Sequence, residues 1–214
     1  MSKSVGIIGS GGVGKTLGLG FLKQGYNVTI GTRDPAKLKE WKDKAGEKAS
    51  IGSFADAARC DIVVLATLWT GTKSAIDQAG PDNMKGKVVI NVTNPLDFSA
   101  GPPPRFAATV ENPGGAQVQA WIPGARVVKA FNTISANIMI QPKLEDGTAD
   151  LFIAGNDEAA KKEVAAIAEA WGWGSVNDMG DILMSFWLET FAMLWIYFGF
   201  KNNHWTHAFK LLRK

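Results

Sequence analysis

The stretch VGIIGSGGVGKTLGLGFLKQGYNVTIGTRD, residues 5–34, decides the fold. An apolar run, Val5 to Ile8, leads straight into Gly9-Ser10-Gly11-Gly12-Val13-Gly14. A helical pattern follows, carried by Leu17, Leu19, Phe21 and Leu22, and a second apolar run, Val28 to Ile30, ends in Gly31-Thr32-Arg33. Strand, glycine-rich turn, helix and strand in this order place a pyrophosphate on a helix N-terminus. Gly9 permits the tight turn, Gly11 lets backbone approach the pyrophosphate, and Gly14 lets the helix pack close to the sheet.

The residues after the second strand choose between dinucleotides. A site for NAD usually carries an acidic residue there, accepting from the ribose 2′-hydroxyl. This chain offers the Thr32 hydroxyl and the Arg33 guanidinium, with Lys37 one turn on. Those groups suit a 2′-phosphate, so the expected cofactor is NADP(H).

The same alternation continues. Apolar, β-branched runs stand at Ile62–Ala66, Val88–Val92, Val127–Ala130, Leu151–Ala154 and Ser175–Asn177. Helical patterns lie near 12–24, 35–45, 54–59, 71–79, 133–139 and 157–171. Such alternation predicts a Rossmann-type, doubly wound α/β fold with a mostly parallel sheet covered on both faces. The stretch Asn94–Ile122, rich in proline and glycine, reads as a long loop.

The length of 214 residues suits one well-buried domain over 1–214. A net charge of +3 is too mild to imply a nucleic-acid partner. The single cysteine, Cys60, excludes an internal disulfide framework. No basic-then-apolar leader precedes the first strand, and the expected location is cytoplasmic.

Composition changes over 182–214, read as a C-terminal helical extension. Nine aromatics fall between Phe186 and Phe209, and Glu189 is the sole charge in 182–200. Three readings compete: a membrane span, a helix buried in the core or a dimer interface, and a wall of a flat substrate site. A mid-span glutamate is costly in a bilayer, so no membrane span is expected. The tail from Lys201 to Lys214 reads as a helix packed on its own protein.

Two other patterns overlap these residues. Gly9 through Thr16 also reads GxxxxGKT, a triphosphate-binding loop in which Lys15 reaches phosphates and Thr16 holds magnesium. That class needs an apolar strand ending in an acidic magnesium partner, and the runs here end in other residues. Ser185, Tyr197 and Lys201 imitate a short-chain dehydrogenase set, but lie in a hydrophobic segment near the chain's end and read as coincidence. Acid–base candidates are scarce, which favours hydride transfer to an acceptor that handles its own protons, such as a flavin-like ring. A non-catalytic NADP(H)-binding module is the alternative. No His/Cys/carboxylate cluster has metal-ligand spacing.

Residues 9–34 resemble the N-terminal segment of the NADPH-dependent reductases of the deazaflavin coenzyme F-420. The likeness continues in DIVVLATLW (61–69), VINVTNPL (89–96) and VVKAFNT (127–133). The last two also resemble the cytosolic reductase domain of the six-transmembrane metalloreductases. The resemblance implies that Ser10, Gly11, Gly12 and Val13 wrap the pyrophosphate and that Thr32, Arg33 and Lys37 hold the 2′-phosphate. It implies that Thr67, Leu68 and Trp69 flank the ribose and nicotinamide, and that Ala130, Phe131 and Asn132 border the nicotinamide. Asn94, Pro95, Leu96 and Thr133 then form the acceptor pocket with part of the 182–200 helix. It further implies a flavin or deazaflavin as co-substrate and a homodimer.

Overall fold

A computed structural model describes residues 3–214. Met1 and Ser2, where the leader reading begins, lie outside the described residues. The elements run β1 (Ser4–Ile8), α1 (Gly12–Lys23), β2 (Asn27–Gly31), α2 (Lys39–Ala45), β3 (Ala49–Gly52), α3 (Phe54–Ala58) and β4 (Ile62–Leu65). They continue with α4 (Trp69–Ala79), β5 (Val88–Asn91), β6 (Leu96–Asp97), β7 (Arg105–Phe106), α5 (Gly114–Trp121) and β8 (Arg126–Lys129). Last come β9 (Lys143–Leu144), β10 (Gly147–Thr148), β11 (Leu151–Gly155), α6 (Glu158–Ala170), β12 (Val176–Asp178) and α7 (Ser185–Asn202).

Eight strands form one sheet in the order β12-β11-β8-β5-β4-β1-β2-β3. All pairings from β3 to β8 are parallel. β11 pairs antiparallel with β8, Ala154 lying opposite Lys129, and β12 pairs parallel with β11, so these two strands run against the other six. Alternate strand residues feed opposite faces, as period-two geometry requires. Ile7, Ile30, Val64, Ile90 and Val128 pack with Leu17 and Phe21 of α1 and Val164 of α6. Ile8, Val63, Leu65, Val89 and Val127 pack with Ala57 of α3, Ile76 of α4 and Val118 of α5. Both faces are therefore covered, which is why the strands read as unbroken apolar runs.

Four sequence expectations need correction. β3 was not anticipated; it is an edge strand whose ASIG sequence holds one large apolar residue. The supposed loop 94–122 contains the β6–β7 hairpin and all of α5. The pattern at 133–139 gives only a short 3-10 turn, Ala136–Ile138. The tail beyond α7 forms no helix, and it straps back across the protein. There the Asp150 amide donates to the Phe209 carbonyl at 3.0 Å, and the Leu211 amide donates to Asp150 Oδ2 at 2.8 Å. Trp195 Nε1 donates to the His207 carbonyl at 2.8 Å.

The helical segment Ile182–Asn202, with mean hydropathy 1.4, is long and apolar enough to cross a membrane by length and composition. One face is buried in the protein through Leu188, Glu189, Ala192, Trp195 and Ile196. The other exposes Trp187, Leu194, Tyr197 and Phe198.

Candidate cofactor cleft at the strand ends

The strand order reverses between β1 and β4, so the crossovers leave this point in opposite directions. In open parallel sheets that point opens a crevice beyond the strands' C-terminal ends. Here it is a cleft of about 550 Å³. Its floor is the turn from β1 to α1. Gly9 has φ +127°, and a Cβ there would sit 2.4 Å from the Ala66 carbonyl oxygen. A Cβ at Gly14 would lie 2.1 Å from the Gly9 carbonyl oxygen, so α1 closes on the turn only because Gly14 lacks one. At Gly11 and Gly12 a Cβ would meet nothing within 4 Å. Those two face open space, the cradle a pyrophosphate requires. α1 begins with no side-chain cap and no acidic residue in its first turn. Its N-terminal amides and positive dipole end are thus left for an anion.

The wall beside β2 is held by short polar contacts. Ser10 Oγ and Thr32 Oγ1 are 2.9 Å apart, and the Asp34 amide donates to Thr32 Oγ1 at 3.1 Å. The turn sets exposed Arg33 at the rim, where it makes no salt bridge among the described residues. Lys37 lies 3.4 Å from the Asp34 carboxylate, both largely exposed. Asp34, which sequence reasoning passed over, also lines the cleft.

Of the residues singled out from sequence, Gly9 through Val13, Thr32, Arg33, Lys37, Thr67 and Leu68 line this cleft together. Gly14 sits beneath it. Trp69 is turned into the second core face and stacks on Trp121 at 5.5 Å. Phe131 is core: its ring packs 5.3 Å from Trp171 and 5.7 Å from Trp173, beside buried Ala130. Phe131, expected to border the nicotinamide, is 1% exposed.

Asn94 and Asn132 interlock. Asn94 Nδ2 donates to the Asn132 carbonyl at 2.9 Å, and Asn132 Nδ2 donates to Asn94 Oδ1 and to the Leu188 carbonyl, each at 2.9 Å. Together they tie the loops after β5 and β8 to α7. Pro95 and Thr133 are buried beside them, and Leu96 enters the hairpin and packs against α7.

Besides Asp34, sequence reasoning missed two features. One face of α4, at Gly71, Ser74, Ala75 and Gln78, lines the cleft with Phe54. Its signal was helical spacing after a strand. The second is the partner of Glu189. That carboxylate accepts from the amides of Gly114 at 2.8 Å and Gly115 at 2.9 Å, and pairs with Lys129 at 2.8 Å. Lys129 also donates to the Thr93 carbonyl. Burial pushes the Lys129 amine below its ordinary range, with Glu189 opposing the shift.

The competing motifs do not assemble. Lys15 and Thr16 lie outside the lining, and the Lys15 carbonyl accepts from Trp41 Nε1 at 3.0 Å. Ser185 is buried, whereas Tyr197 and Lys201 are exposed. Burial pushes the Cys60 thiol up, away from nucleophile chemistry.

The family model for coenzyme F420-dependent NADP oxidoreductases matches residues 4–95. A solved structure from Arthrobacter sp. FB24, described as a candidate F420-dependent NADP reductase, is 34% identical; the match covers 99% of this chain and 100% of that one, with TM-score 0.93. The F420-dependent NADP reductase of Methanocaldococcus jannaschii is 29% identical over 199 residues, covering 88% of each chain. The metalloreductase STEAP3 of Rattus norvegicus is 28% identical over 181 residues, covering 83% of this chain. The chain spans 34% of that relative's length.

Proposed function

The chain belongs to the coenzyme F420-dependent NADP oxidoreductase family, and on that premise we propose that it moves a hydride between NADP(H) and a flat, flavin-like acceptor, a deazaflavin or a flavin. One observation carries the cofactor half of this reading. The uncapped α1 N-terminus opens onto the same cleft as Thr32, Arg33 and Lys37. The pyrophosphate would lie on the amides at Gly11–Val13, and the 2′-phosphate would meet Arg33 and Lys37. The bound nicotinamide supplies the hydride chemistry. Thr67 and Leu68, past the end of β4, would flank its ribose.

The acceptor half rests on the cleft's lining and on the relatives' names. Among the described lining residues Asp34 is the single carboxylate, no histidine, cysteine or tyrosine joins it, and it stands beside Lys37. Such a cleft orients reactants rather than passing protons to them. The interlocked Asn94 and Asn132, held from below by Lys129 and Glu189, fix the loops against which the acceptor would stand. We place the reaction in the cytoplasm, in a single NADP(H)-binding domain extended by 182–214.

A second copy of the chain is the proposed partner on the outer face of α7. That face presents Trp187, Leu194, Tyr197 and Phe198. Between Phe186 and Phe200 it carries no exposed charge, since Glu189 is turned inward, so two copies would meet without like-charge repulsion.

The test is oxidation of NADPH by a deazaflavin and by a flavin, followed by loss of the reduced-nicotinamide absorbance. Turnover with either acceptor supports the reading. Tight NADPH binding without turnover on either would favour the non-catalytic module.

A further inference from the structure

The cleft holds one wall that the reading above leaves unused. With the pyrophosphate on α1 and the 2′-phosphate at Arg33, the purine attached to the same ribose must lie close to Arg33. The same cleft that Arg33 lines is also lined by the α4 face of Gly71, Ser74, Ala75 and Gln78, together with Phe54. Spacings of three and four residues put these α4 side chains in one stripe. Gly71 and Ala75 are small and leave width for a flat ring. Gln78 is the polar group at the far end of the stripe.

The Gln78 amide is oriented by its own helix. Its Nε2 donates to the Ser74 carbonyl at 3.2 Å and to Ser74 Oγ at 3.0 Å. A carbonyl oxygen only accepts, so the nitrogen must be the end that faces Ser74. Oε1 is the end left to present outward, and it is an acceptor.

We propose that Gln78, held by Ser74, is a specificity-determining residue that accepts a hydrogen bond from the exocyclic amine of the adenine base. An acceptor at this place matches the 6-amino group of adenine and opposes the 6-carbonyl of hypoxanthine. Turning the amide over to suit hypoxanthine would surrender the bond to the Ser74 carbonyl and set two carbonyl oxygens facing each other; the Ser74 hydroxyl could still donate to the turned amide. The inference rests on the NADP(H) reading and adds to it a choice of base.

The experiment compares the affinities of NADPH and its hypoxanthine analogue by calorimetric titration. The proteins are the wild type, Gln78→Leu and Gln78→Glu. Gln78 is exposed on α4, and leucine and glutamate are both good helix formers, so both variants keep the fold. The wild type should prefer NADPH by about 3- to 10-fold, the worth of one hydrogen bond. Gln78→Leu should bring the ratio near one. Gln78→Glu keeps an acceptor and should keep the preference, even if the added charge weakens both ligands. A wild type indifferent to the base, or a Gln78→Leu protein that still discriminates, overturns the inference while leaving NADP(H) binding intact. A wild type that binds neither ligand overturns the parent reading as well.

Discussion

Lys129 Nζ and Glu189 Oε1 stand 2.8 Å apart, and neither side chain reaches solvent. The pair joins the end of β8 to α7. Through the Gly114 and Gly115 amides it also joins the start of α5, and through the Thr93 carbonyl the loop after β5. Removing one member strands a buried charge. Glu189→Ala should therefore cost about 3–5 kcal/mol in denaturant unfolding. The double variant Lys129→Met/Glu189→Leu should lose less. An unfolding midpoint unchanged by Glu189→Ala would contradict the account.

Two glycines of one turn should separate folding from binding. Gly11→Ala adds a methyl where nothing lies within 4 Å, so stability should change by less than about 0.5 kcal/mol. NADPH affinity should nevertheless fall at least about tenfold, because the methyl enters the phosphate cradle. Gly14→Ala drives a Cβ to within 2.1 Å of the Gly9 carbonyl oxygen. It should cost about 1–3 kcal/mol of stability as well as binding. Thermal unfolding beside NADPH titration reads both. Equal stability for the two variants would refute the packing role of Gly14.

These glycines also show what was legible in the sequence. The turn, the strand runs and the rim at Thr32–Arg33 follow from local chemistry, and the structure brings them to one cleft. α5 was hidden because it opens on two glycines, and its first amides are satisfied by Glu189, about 75 positions away. β3 was hidden because an edge strand half exposed to water need not be apolar. Phe131 stands at a strand end where ligands gather, yet Trp171 and Trp173 draw its ring into the core. Only tertiary packing decides such cases.

Asp61 ties the start of β4 to β1. Its carboxylate accepts from the Ser4 amide and hydroxyl, both at 2.8 Å, and these bonds hold its pKa below the ordinary carboxylate range. A depressed carboxylate pKa stabilises the fold above the unfolded-state value, and that gain is lost as pH falls through the folded-state value. Asp61→Asn should be less stable than the wild type at neutral pH, and the gap should close in strong acid. Unfolding midpoints across pH measure it; a gap that stays constant would exclude the linkage.

The outer face of α7 predicts association. Leu194 is 58% exposed amid other apolar groups. Sedimentation should find a dimer for the wild type and a monomer for Leu194→Glu, with the fold retained. A monomeric wild type would remove the proposed partner.

The central claim is that the rim after β2 reads a 2′-phosphate, and Arg33→Ala tests it most directly. The measurement is calorimetric titration of wild type and variant with NADPH, NADH and ATP–magnesium. Wild type should bind NADPH tightly and the other two weakly. The variant should lose about 1.5–3 kcal/mol toward NADPH, the worth of a hydrogen bond to a charged group, and change little toward NADH. Equal losses for the two dinucleotides, or binding of ATP–magnesium alone, would contradict the account.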